Sequence, residues 1–151
     1  MQVRWMIPLG AAATAAAQVA CATQYMTVQQ AQQAAFADAK AFRALPAPDA
    51  ATAAALGAAP GWSPQIFAAE ADGRTQGWLI VDQVIGKSEL ITYALALDGK
   101  GAVISVEVLE YRESHGGEIK LPAWRRQFVG TTVALTRRRS HASRIFRKVE
   151  I

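Results

Sequence analysis

The densest run of chemically able side chains is Glu110-Tyr111-Arg112-Glu113-Ser114-His115-Gly116-Gly117-Glu118. Two adjacent glycines let the backbone approach a flat ligand closely and leave N–H donors exposed. Glu113, Ser114 and His115 have the groups to bond the polar edge of a heterocycle. Trp124 and Phe128 stand one helical turn apart in the next segment, a spacing that can cover an apolar ring. The same composition also suits a plain solvated hairpin loop with a surface histidine. A histidine beside carboxylates points to acid–base or metal chemistry. His115 and His141 are the only histidines, however, and His141 sits in an arginine-rich tail, so a metal site has little support. Nothing activates a particular serine, and no catalytic residue is assigned.

The loop follows the clearest strand pattern in the chain. Residues 102–111 alternate, with Val103, Ser105, Glu107 and Leu109 on one face and Ile104, Val106, Val108 and Glu110 on the other. Residues 65–71, 77–85 and 90–97 also read as strands. The turns between them are 71–74, 86–88 and Asp98-Gly99-Lys100-Gly101. A helix is predicted over 25–42, capped by Thr27 with Gln30 three residues on. Val28, Ala31, Ala35 and Phe42 share one face of it, and Pro46 and Pro48 end it. Residues 46–64 hold four prolines, with a short helix expected over 50–55 and Trp62 as a core plug. Pro122 opens a helix expected over 123–129. Four strands in hairpin order with helices at both ends predict an α+β fold, an antiparallel sheet with flanking helices. No glycine-rich turn joins a strand to a crossover helix, so a Rossmann unit has no support.

A chain of 151 residues suits one domain with a real core. Residues 1–22 read as an export signal: Arg4, an apolar stretch from Ile7 to Ala17, then Ala20-Cys21-Ala22 with the small residues of a cleavage site. Cys21 competes as a lipid-anchored residue, but Gln18 stands where a leucine is usual. Residues 133–151 carry six arginines and lysines against Glu150 alone, so the other 132 residues have a net charge of −1. The basic balance therefore belongs to a tail, which suits a solvated end. Phe146 is the one aromatic among its arginines, and no stacking platform for nucleic acid results.

The stretches YMTVQQAQQAAFADA and GWLIVDQVIGKSELITYALALDGKGAVISVEVLEYRESHGGEIKLPAWRRQFVGTT resemble exported bacterial FMN-binding domain proteins. These are related to the periplasmic flavin subunits of the sodium-pumping quinone reductase and the Rnf complex. The resemblance spans about residues 23–132, and its most specific part is the Glu-Ser-His-Gly-Gly-Glu loop with the Trp-Arg-x-Gln-Phe-Val-Gly run. It implies the FMN-binding type of fold, FMN as cofactor and electron transfer outside the cytoplasm by a carrier rather than a turnover enzyme. A membrane redox complex or a flavin transferase is the implied partner. It places Glu113, Ser114, His115, Gly116, Gly117 and Glu118 at the flavin-side loop, with Ser114 for the usual Thr. Lys87 and Glu89 match a Gly-Lys-His-Glu-like turn, with Ser88 where His is common, which puts the Lys87 charge near the flavin or its phosphate.

Family members continue into a motif like Asp-x-x-x-Ile-Ser-Gly-Ala-Thr, whose Thr can be joined to FMN through its phosphate. Here residues 133–151 read VALTRRRSHASRIFRKVEI. Covalent attachment and half of the phosphate site thus lack support. The domain reads as incomplete at its C-terminal end, with a shifted reading frame after Thr132 as the expected cause. Two rival readings remain: an exported module that has lost the flavin and docks a membrane redox partner, and a cation-tailed surface protein for anionic polymers.

Overall fold

The computed structural model describes residues 23–113 and 116–132; the expected export signal, Ser114, His115 and the basic tail lie outside the described residues. The fold is α+β. Strands β1 (Thr23–Gln24), β2 (Ala41–Leu45), β3 (Gln65–Ala71), β4 (Arg74–Ile85), β5 (Leu90–Asp98) and β6 (Val103–Tyr111) form one antiparallel sheet in the order β1-β6-β5-β4-β3-β2. The four central strands are the four expected from the sequence, and the outer two extend the sheet to six. The β5–β6 turn is built by Asp98, whose carboxylate accepts from the backbone N–H groups of Lys100 and Ala102, both at 2.8 Å.

Both faces of the sheet are covered. On one, Tyr93, Leu95, Val103, Val106, Val108 and Tyr111 pack under the C-terminal segment. That segment is a 3₁₀ turn (Gly117–Lys120), α3 (Pro122–Arg125) and a second 3₁₀ turn (Arg126–Phe128), and it brings Ile119, Trp124 and Phe128 onto the sheet. On the other face, Ala69, Leu79, Val81, Ala94, Ala96 and Leu109 meet Ala31 of α1 (Val28–Ala35) and Phe36. The remaining helix, α2 (Ala50–Ala55), is capped by Asp49, which accepts from Thr52 N–H at 2.7 Å.

Three local expectations need correction. The first helix starts as expected, with Thr27 and Gln30 forming a reciprocal capping box, but it ends at Ala35 rather than Phe42. Phe36 leaves the helix with φ −135° and ψ 68° and buries its ring against Phe42, at a centroid distance of 6.3 Å. The chain then turns and enters the sheet as β2, where Lys40 N–H donates to Glu70 O. Phe42 reaches the core assigned to it from a strand, not from the helix.

Second, β6 does not alternate strictly. Its register against β5 shifts twice, skipping Ile104 and Leu109. Each bulge adds one residue that has no partner across the ladder. Val103 and Val106 therefore share one core, while Leu109 joins the opposite one. Third, the C-terminal helix is one turn of α3 that tightens into a 3₁₀ turn, so Trp124 and Phe128 are not on one continuous α-helix.

Candidate functional site

The antiparallel order carries the chemically able loops to one end of the sheet. The β4–β5 turn at 86–89, the chain leaving β6 after Tyr111, the entry to β3 at Gln65 and the β1 strand all meet there. The link between the first two is Glu113. Its Oε1 accepts from the N–H groups of Ser88 at 2.7 Å and Glu89 at 2.9 Å, and its Oε2 accepts from the Ser88 hydroxyl at 3.1 Å. Gly86 makes room for this clasp, since a Cβ there would lie 2.6 Å from Glu113 Oε1 and 2.9 Å from Ile91 Cδ1. The Gly-Lys-Ser-Glu turn and Glu113, separate in sequence, are thus tied together, with Lys87 exposed on the turn. Both carboxylate oxygens of Glu113 are engaged in that tie.

The N–H donors of Glu89 and then Ser88 hold the Glu113 carboxyl below the usual glutamate range. Because the folded-state pKa lies below the unfolded value, the contribution of the clasp is complete above the ordinary value of 4.5 and is lost as pH falls through the depressed one. The protection of the Ser88 and Glu89 amides, the intrinsic exchange rate divided by the observed one, should therefore hold at neutral pH and fall only in acid below that ordinary value. Exchange that is already fast at pH 7 would mean that the clasp does not form in solution.

Past the clasp, Gly116 is left-handed at φ 79°, a conformation that glycine adopts without strain, and it starts the 3₁₀ turn. Among the described residues a Cβ on Gly117 would meet only the Lys120 side chain, at 3.4 and 3.5 Å, and the glycine itself is half-buried. Glu118 is exposed, whereas the next residue, Ile119, is buried and ties the loop to the core. Lys120 Nζ lies 4.9 Å from the ring centres of both Tyr25 and Tyr111 and donates to Tyr25 Oη at 2.9 Å. Burial, and then the charges of Glu113 and Glu118, push the Tyr111 phenol up. Trp124 and Phe128 meet edge to face with ring centres 4.9 Å apart, and part of each ring is spent on the core beneath. Arg125 holds this pair to the sheet by an ion pair with Glu107 and a hydrogen bond to Val106 O at 3.3 Å.

A second polar centre was not singled out from sequence. Asp82 Oδ2 accepts from Trp62 Nε1 at 2.9 Å and from Tyr93 Oη at 3.2 Å. Burial and then the Asp82 charge push the Tyr93 phenol well up, so it remains a donor. Trp62 is half-buried, bonded through its indole nitrogen, and lines a cavity of about 440 Å³ instead of plugging the core. The sequence offered only a faint signal for this, a tryptophan in a proline-rich loop and an aspartate in an apolar strand. A neighbouring cavity of about 280 Å³ opens beside α1. Neither cavity is lined by Lys87, Glu113, Gly116, Gly117, Trp124 or Phe128.

Among the described residues no group of three metal-ligating side chains converges, and no helix is long and apolar enough to cross a membrane. No family model, curated protein or solved structure compared with this chain matches it.

Proposed function

We propose that this domain is an exported electron carrier that binds FMN at the loop end of its sheet, as the family resemblance implies. The observation that carries the reading is the Glu113 clasp, which sets the Lys87 turn against the loop bearing Gly116 and Gly117. The residues fit a flat anionic cofactor. Gly117 is a half-buried position where a Cβ finds only ordinary contacts with Lys120 among the described residues, Gly116 gives the turn its left-handed bend, and Lys87 supplies an exposed cation on the turn that Glu113 holds. Glu113 positions the two loops; the Trp124–Phe128 pair lies farther along β6, where the segment after Phe128 bonds to Val103. FMN when bound supplies one- and two-electron redox chemistry, while the protein sets its orientation and electrostatics. The proposed electron partner is a membrane redox complex on the exported side.

Protein purified from the periplasm should be yellow, with flavin absorbance that acid precipitation assigns to the supernatant if free and to the pellet if tethered. Folded but colourless protein that does not take up added FMN overturns the proposal. Gly117→Val should lower FMN affinity about tenfold or more, equivalent to ~1.4 kcal/mol, with little change in the urea midpoint. The ordinary contact distances around a Cβ at this glycine are why the fold should tolerate the change. Unchanged affinity in that variant moves the site away from this loop.

A further inference from the structure

Away from the glycine loop, one row of the sheet has a different chemistry. Gln83, Thr92, Glu110 and Gln24 are direct register partners across β4, β5, β6 and β1. Neighbours across an antiparallel ladder share a face, so these four side chains form a polar stripe perpendicular to the strands. Gln83 Nε2 donates to Thr92 Oγ1 at 3.3 Å, and Thr92 Oγ1 approaches Glu110 Oε2 at 3.5 Å. The stripe lies on the face that carries α1, beyond the part that Phe36 and Ala31 cover.

The two cavities lie along this stripe and share Gln65, Val81 and Thr92, so together they make one groove from the Trp62 loop to the start of α1. It crosses five strands, from Gln65 on β3 to Gln24 on β1, a span of roughly 19 Å at the usual strand spacing. Its walls are apolar: Val81, Leu109, Met26 and Val28 on one side, and Leu90, 42% exposed, on the other. Trp62 lines the groove at one end, and its indole nitrogen is tied to Asp82 at the strand edge.

The charge in the groove is already spent. Among the described residues neither cavity is lined by a lysine or arginine that could partner a phosphate or carboxylate. Glu110 Oε1 accepts from Arg112 at 2.9 Å. The Asp82 oxygens take Trp62, Tyr93 and the Gln83 N–H, which leaves a cation no free carboxylate there. What remains is a line of amide and hydroxyl groups that both donate and accept, between apolar walls and ending in an aromatic ring. Hydroxylated rings present matching donors and acceptors at their edges and C–H faces to an indole. We propose that this groove binds a short neutral oligosaccharide laid across the strands.

Titration calorimetry of the full exported chain with cellotetraose, chitotetraose and maltotetraose tests this. At least one of the three should bind. Trp62→Ala and the near-isosteric Thr92→Val should each weaken that binding about tenfold, because ligand hydroxyls lose a partner inside an apolar-walled groove. Thr92→Val keeps the shape of the strand, so it remains informative if Trp62→Ala fails to fold. No binding of any of the three up to millimolar concentrations overturns the proposal. So does binding that Thr92→Val leaves unchanged, or binding of an uncharged acetylated Ser-Gln-Ala-Gln peptide with no binding of the sugars. FMN retention is read separately and should not change in either variant, since no groove residue belongs to the glycine loop.

Discussion

Gly77→Ala is expected to destabilise the domain by about 3 kcal/mol or more, at the upper end of what overpacking costs. Gly77 lies in β4 opposite Asp98, and a Cβ placed there would sit 2.2 Å from Leu97 O and 2.7 Å from Phe36 Cε1. The first contact is backbone of the neighbouring strand, which cannot withdraw without opening the β4–β5 ladder. The second is the ring that closes the core beneath α1, where Phe36 is 7% exposed. Both contacts must therefore be relieved for the side chain to fit. Urea unfolding should show a large fall in the midpoint. Gly99→Ala is the control, because its nearest atom would be Gln76 O at an ordinary 3.4 Å. Equal midpoints for the two variants would mean that β4 and β5 do not approach so closely in solution.

Ile119→Ala should cost ~2–5 kcal/mol, the range for emptying a fully buried aliphatic site. Ile119 is 1% exposed and packs with Tyr93, Tyr111 and the central valines of β6. It is also the first anchored residue after Gly116 and Gly117, so its loss acts on the loop as well as on the core. Unfolding should begin at lower urea, and if the loop holds FMN as proposed, the affinity should fall in parallel with the order of the loop. A variant with an unchanged midpoint would show that the 3₁₀ turn does not seat on the sheet.

The sequence made much of this legible for reasons that are local. Thr27 and Gln30 cap a helix through bonds three residues apart, and Asp98 builds its turn from its own neighbours. The central strands are long enough for their apolar content to mark them. β2 was hidden because Phe42 falls at helical spacing from Val28, Ala31 and Ala35, and the turn before it contains neither glycine nor proline. Its strand state is decided by pairing with β3, which no local pattern encodes. The bulges in β6 were hidden in the same way, since they are a relation between two strands.

The site divides along the same line. Gly116, Gly117 and their polar neighbours stand out as composition. The role of Glu113 does not, because its partners lie 24 and 25 residues away. The stripe of Gln83, Thr92, Glu110 and Gln24 draws one residue from each of four strands. It becomes visible only once the register is known.

The two skipped residues of β6 have a joint effect that neither has alone. Between Ile104 and Leu109 the strand runs out of phase with its own ends, and the second slip cancels the first, so Val103 and Tyr111 still look the same way. Excising either residue singly would remove one bulge and leave every paired residue of β6 on its present face, since the skipped residue has no partner across the ladder. Excising both would leave a strand of strict alternation. Removing a paired residue between them, such as Glu107, would instead turn one side of the strand to the wrong face.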